Sequence, residues 1–247
     1  MKHVALLLGM ALSAMTTAHA SELKLIAGGS LAGLFKELGP QFEKTTGHTL
    51  AVHFDSTPNI IARINSGTAF DVVVVPVDVF KDATAKGHMT PAPMVEIARV
   101  RYGIIVQAGA PKPDISTIDA FKKTLLDAKS IASVPSSAAG AYIAKVYERL
   151  GISEAMKAKT KAQPAPTAIA PVVANGEAEL GIFLTNVFIA PGVELVGPFP
   201  ADLQQELAFA AAVSADTKEG DAARALIDYL KTPAALEAIK AAGMTPP

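Results

Sequence analysis

The chain contains no cysteine and no tryptophan. Without thiols there is no disulfide, no thiolate metal site and no lipid-modified N-terminal cysteine. It also lacks an excess of either charge: 22 Lys and Arg stand against 23 Asp and Glu in 247 residues, with no long basic or acidic block. Phe and Tyr are scattered rather than interleaved with Arg or Lys. Nucleic acid and anionic membrane are therefore not expected as partners. Beyond residue 20 no apolar run reaches the roughly 18 residues that would cross a bilayer, so no membrane insertion is expected. Histidine is scarce too. After residue 20 only His48, His53 and His88 remain, without the close spacing of a metal site, and neither metal nor cofactor is expected.

What is present begins with a leader. Lys2 is followed by an apolar run from Val4 to Met15 and by Ala18-His19-Ala20, a small-x-small cleavage signal. Residues 1–20 thus have the pattern of a secretory signal peptide, and the mature chain is expected to start at Ser21 in the periplasm. Lys2 is the only charged residue in that segment, which leaves 21 basic against 23 acidic residues. The remaining length suits one large domain or two lobes.

Hydrophobic periodicity orders the mature chain. Leu23–Ala27 reads as a strand, followed by Gly28-Gly29 and a helix from Ser30 with Leu31, Leu34, Phe35, Leu38 and Phe42 at helical spacing. Pro40 inside that helix predicts a kink or break. Thr49–Phe54 reads as a strand, Pro58–Ser66 as a helix, and Val72–Val75 as a strand buried on both faces. Phe80–Lys86 is expected as one helix. This β-α-β-α-β order is that of a doubly wound α/β lobe. Arg99–Val106 then reads as a strand crossing into a second lobe. That lobe would hold helices at Ile118–Ala128, Ala139–Leu150 and Thr167–Asn175, and strands at Ser130–Val134 and Leu180–Leu184. Leu207–Val213 would cross back before helices at Ala222–Leu230 and Pro233–Ala242. The expected fold is two doubly wound α/β lobes joined by two crossing segments. Residues 21–98 and 205–247 form the first lobe and 99–204 the second.

Three sites share one design, a small or hydroxyl residue between a strand and a helix: Gly28-Gly29-Ser30, Asp55-Ser56-Thr57-Pro58 and Ser136-Ser137-Ala138-Ala139. Pro166-Thr167 is a weaker fourth. In the second, Thr57 suits the N-cap and Pro58 the first helical position. A helix N-terminus offers unpaired N–H groups and the positive end of a dipole, so an anion placed there needs no cation. Each such Ser or Thr can also be an ordinary cap. Their recurrence after strands, where open sheets bind ligands, favours a site made of Gly29, Ser30, Ser56, Thr57, Ser137, Ala139 and Thr167. Arg101, near the expected crossing, could grip a carboxylate with a fork of hydrogen bonds; its plainer reading is a surface ion pair. Gly28–Ala32 imitates a hydrolase nucleophile elbow, but Ala32 stands where glycine is required, and no histidine is followed by an acid partner in the expected order.

Gly29-Ser30-Leu31, Gly39-Pro40-Gln41-Phe42-Glu43-Lys44-Thr45-Thr46-Gly47, Phe54-Asp55-Ser56-Thr57, Ala62-Arg63-Ile64 and Phe70-Asp71-Val72 resemble the periplasmic molybdate-binding protein family. Ala139-Gly140, Glu148-Arg149-Leu150-Gly151 and Gly176–Ile182 are similar to its second lobe. The resemblance spans nearly all of the mature chain. It implies a type II periplasmic binding protein that delivers its ligand to the membrane subunits of an ABC importer, with a monomer expected. It also implies oxyanion binding by hydroxyls and main-chain amides without metal. Ser30 and Thr57 match the hydroxyl ligands and Ala139 a backbone ligand. The two remaining contacts fall at Pro166, which has no N–H, and Leu184, which has no hydroxyl, although Thr167 and Thr185 are adjacent. An organic carboxylate therefore stands beside a molybdate-like oxyanion as the expected ligand. The alternative is an enzyme on the same scaffold. Aconitate isomerases resemble this group, and such an isomerase would take a tricarboxylate, with Arg101 or Arg63 as its grip and His53, Asp55 or Tyr102 as its base.

Overall fold

A computed structural model describes residues 20–247; the expected signal peptide, apart from Ala20, lies outside the described residues. The chain order is β1 (Glu22–Gly28), α1 (Ala32–Thr46), β2 (Thr49–Asp55), α2 (Thr57–Asn65), β3 (Val72–Pro76), α3 (Ala83–Gly87) and β4 (Val95–Gln107). It continues with α4 (Ile118–Asp127), β5 (Ile131–Ser133), α5 (Ala138–Arg149), α6 (Ser153–Lys159), β6 (Thr160–Ala162), α7 (Ile169–Ala174) and β7 (Leu180–Leu184). The chain closes with β8 (Val193–Pro198), β9 (Glu206–Val213), α8 (Gly220–Tyr229) and α9 (Pro233–Ala241).

The strands lie in the order β2-β1-β3-β9-β4-β7-β5-β6, with β8 also paired to β4. Strands β2, β1 and β3 run parallel, and β9 returns antiparallel beside β3. The 13-residue β4 belongs to both halves of the sheet. Its first part, Val95–Arg101, pairs with β9, and its second part, from Tyr102, pairs with β7 and β8. In the second half β5 runs parallel to β6 and β7. This arrangement is two α/β lobes sharing long crossing strands.

The valine run of β3 explains itself in the packing. Val72 and Val74 join the core beneath α1, while Val73 and Val75 join a second cluster with Ile60 and Ile64 of α2. A strand covered on both faces has no polar side, so its sequence does not alternate. On α1, Leu34, Leu38 and Phe42 fall on the buried stripe; each fully buried side chain of this kind contributes about 1.5–3 kcal/mol.

Four expectations are corrected. Helix α1 runs unbroken through Pro40. Pro40 and Lys36, whose carbonyl loses its partner, both lie on the exposed face, where water can satisfy the group. The single helix at Phe80–Lys86 is instead a 3₁₀ turn at Val77–Lys81 and the short α3, because the Asp82 carboxylate accepts from the Ala85 N–H (2.8 Å) and starts a new helix. The helix expected at Thr167–Asn175 is instead a 3₁₀ turn at Pro166–Ala168 followed by the short α7. Helix α2 starts one residue earlier than read, with Ser56 as its N-cap and Pro58 in its first turn.

Candidate functional site

The parallel register sets Gly28 at the end of β1 beside Asp55 at the end of β2. Each strand then turns directly into a helix. After β1, Gly29–Leu31 form a 3₁₀ turn that leads into α1; after β2, Ser56 caps α2. Ser30 and Thr57 are thereby carried to neighbouring strand ends and are both buried, with 9% and 8% of their surface exposed. Neither hydroxyl has a hydrogen-bond partner among the described residues. Neither oxygen is among the buried polar atoms left without a partner, so each hydroxyl can donate to water or to a ligand that replaces it.

The second lobe presents its own strand ends here. After β7, a 3₁₀ turn at Thr185–Phe188 packs against the Gly29–Leu31 turn, as does the turn at Pro166–Ala168 that precedes α7. The approach at Gly29 is close: a Cβ there would lie 3.3 Å from Pro166 Cδ and 3.4 Å from the Asp55 carbonyl oxygen. At the head of α5, Ser137 donates to the Val134 carbonyl (2.8 Å) and accepts from the Gly140 N–H (3.0 Å). The Ser137 hydroxyl is thus used as a cap. The Ala139 N–H, in the first turn, has no intrahelical acceptor. Gly140 has to be glycine, since a Cβ would sit 2.2 Å from the Val134 carbonyl oxygen.

Two cavities flank this junction. One, of about 650 Å³, holds Thr57, Tyr102, Ser137 and Tyr142, with Asp78, Lys81 and Lys145 among its lining residues. The other, of about 350 Å³, brings Ser30, Thr167 and Asn186 together. Asn186 Nδ2 donates to the Ser30 carbonyl at 2.7 Å. Gly29, Ser30, Ser56 and Thr57 therefore form one end-of-strand cluster, with Thr167 opposite Ser30 and the head of α5 opposite Thr57.

Arg101 lies elsewhere. It alternates with Tyr102 along β4, so its side chain leaves the other face of the strand and pairs with Glu206 of β9 (3.4 Å), at 60% exposure. It lines a separate cavity with Lys112, Phe199 and Gln204. The carboxylate grip expected of Arg101 is corrected to an exposed ion pair between the crossing strands. His53 Nε2 lies 3.4 Å from Asp55 Oδ2, and neither residue lines the cavity of Thr57 or that of Ser30. Burial alone would raise the Asp55 pKa, but hydrogen bonds from the Asn59 amide, the Ser56 N–H and His53 outweigh it and hold the carboxyl below its ordinary value. Burial, and then the Asp78 carboxylate, push the Tyr102 hydroxyl far above its ordinary value, so it stays protonated. Asn186, Tyr142 and Lys145 were missed from sequence. An asparagine in a turn and a lysine on a helix carry no motif, and only the fold brings them to the junction. Among the described residues no helix is long and apolar enough to cross a membrane.

Lobes that share crossing strands and bring their helix N-termini together at the strand ends are the features of the type II periplasmic-binding-protein fold. The solved structure of the periplasmic molybdate-binding protein of Azotobacter vinelandii superposes with a TM-score of 0.76 at 22% identity, covering 91% of this chain and 99% of that one. The chain belongs to the bacterial extracellular solute-binding protein family, whose sequence profile matches residues 23–245. Among curated relatives, an aconitate isomerase of a Pseudomonas species is 33% identical over 231 residues, covering 91% of this chain and 87% of that protein. The molybdate-binding protein ModA of Azotobacter vinelandii is 29% identical over 232 residues, covering 92% and 90%.

Proposed function

We propose that this protein captures a small anion between its lobes in the periplasm and, as a monomer, delivers it to the membrane subunits of an ABC importer. The first lobe comprises residues 21–98 and 205–247 and the second residues 99–204. The observation that carries this reading is that Ser30 and Thr57, mostly buried residues on adjoining strand ends, have hydroxyls with no protein partner among the described residues. Both lie at helix starts whose amides have no internal acceptor. The anion takes hydrogen bonds from both hydroxyls and from amides near Ser30, Thr57 and Ala139, and bridging the lobes favours the closed state. Proteins of the same fold and family that bind molybdate support an oxyanion. The absence of a second-lobe N–H at Pro166 and of a hydroxyl at Leu184 supports a carboxylate. Titration calorimetry with molybdate, tungstate, sulfate, phosphate and di- and tricarboxylates decides between them, and no heat with any of these anions would refute the reading.

A second reading is isomerisation of a tricarboxylate on the same scaffold. It is favoured by the 33% identity to an aconitate isomerase and by the cavity of about 650 Å³ beside Thr57, with Lys145 on its lining. Of the three candidate bases only Tyr102 lines that cavity, and it holds its proton. His53 and Asp55 pair with each other outside it, so either would act as the base only if the substrate reached them. Interconversion of cis- and trans-aconitate followed by ultraviolet absorbance tests it: turnover above the uncatalysed rate supports the enzyme, and binding without turnover leaves a carrier.

A further inference from the structure

A single side-chain hydrogen bond among the described residues ties the Ser30 segment to the second lobe. Asn186 Nδ2 reaches the Ser30 carbonyl at 2.7 Å across 156 positions of sequence. The acceptor fixes how the amide is turned, because a carbonyl only accepts and the amide nitrogen only donates. The other end of the same side chain, Oδ1, is buried with no donor among the described residues. Asn186 lies in the Thr185–Phe188 turn, which packs on the Gly29–Leu31 turn, and it shares a cavity with Ser30 and Thr167.

We infer that Asn186 is a positioning residue for the anion. It holds the Ser30 peptide, and with it the Ser30 hydroxyl and neighbouring amides, in the binding geometry, and only when the lobes are together. The inference rests on the reading of Ser30 as an anion ligand. Its physical basis is an offset within one side chain. Bringing the turns together makes the Nδ2 bond but strips water from Oδ1 without replacing it. The two terms oppose each other, so Asn186 does not hold the protein shut when it is empty. A bound anion leaves Oδ1 as it is but supplies the closing free energy by bridging the lobes, after which the Nδ2 bond resists reopening. Asn186 therefore acts on how long the anion stays rather than on how fast it arrives or on how stable the empty fold is.

The test compares the full chain with its Asn186→Ala and Asn186→Asp variants, by stopped-flow kinetics with molybdate and with trans-aconitate as probes and by thermal unfolding without anion. Asn186→Ala should release its anion about 5- to 10-fold faster, the loss of one modest hydrogen bond. Its association rate should stay within about twofold, and its anion-free melting temperature should equal that of the unaltered chain. Asn186→Asp keeps the size but cannot donate, and it sets a charge beside the anion, so it should release faster still. Equal release rates in an unaltered chain that binds either probe would overturn the role of Asn186 alone. A fall in anion-free stability that accounts for the change would do the same. No binding of either probe by the unaltered chain would overturn the role of Asn186 together with the Ser30 reading beneath it.

Discussion

Replacing Ser30 by alanine separates binding from folding. In the anion-free protein Ser30 is 9% exposed, and its hydroxyl has no protein partner among the described residues but is not sealed among the buried unpartnered atoms, so water can satisfy it. Its removal breaks no protein hydrogen bond and leaves no donor stranded, so anion-free stability should change by no more than about 0.5 kcal/mol. With anion bound, the same hydroxyl donates to a charged acceptor, a bond worth about 1.5–3 kcal/mol. Affinity should therefore fall roughly 10- to 150-fold. Thr57→Ala should behave alike. If the adjoining ends of β1 and β2 bring both hydroxyls to one ion, as proposed, the double variant should depart from additivity. Titration calorimetry gives the dissociation constants and calorimetric unfolding the stabilities. An unchanged affinity in both single variants would refute the reasoning, as would an anion-free stability loss as large as the loss of binding.

Gly29→Ala places a methyl 3.3 Å from Pro166 Cδ in the opposite lobe. It should weaken anion binding by about 1 kcal/mol through overpacking and reduce the compaction seen by small-angle scattering on adding anion; unaltered compaction would contradict the close approach. Gly140→Ala, whose Cβ would meet the Val134 carbonyl oxygen at 2.2 Å, should cost about 3 kcal/mol of stability in denaturant titration. Asp55 has its folded-state pKa lowered from the model-compound value of 3.8, despite burial that would raise it, by the Asn59, Ser56 and His53 hydrogen bonds. Its contribution to stability is therefore full above that value and disappears as pH falls through the lower folded value. Asp55→Asn should melt below the unaltered protein at about pH 7 and approach it at about pH 2; a gap independent of pH would contradict the assignment.

Much of the fold was legible because parallel strands and amphipathic helices leave plain patterns. The uninterrupted Val72–Val75 marks a strand covered on both faces, and Leu34, Leu38 and Phe42 mark the buried stripe of α1. Short edge elements were not legible. β6 is three residues of mixed polarity held by pairing with β5, a long-range contact that local pattern does not carry. β8, Val193–Pro198, was missed for the same reason. The helix-start residues of the candidate site were visible as hydroxyls and glycines between strand and helix. Arg101 was misplaced because a strand alternates its faces. Tyr102 points toward Thr57 and Ser137, and Arg101, one residue earlier, points away to Glu206. Asn186 left no signal, since its partner is 156 residues distant.

The most direct measurement is thermal unfolding of the unaltered chain and of the Ser30→Ala/Thr57→Ala double variant, each with and without a panel of oxyanions and carboxylates. An anion at about 100 times its dissociation constant adds about 2.7 kcal/mol to the unfolding free energy, which is a readily seen shift. At least one anion should raise the melting temperature of the unaltered chain, and the same concentration should leave the double variant almost unmoved. Equal shifts in both proteins would place the anion away from Ser30 and Thr57, and no shift in either would contradict anion capture itself.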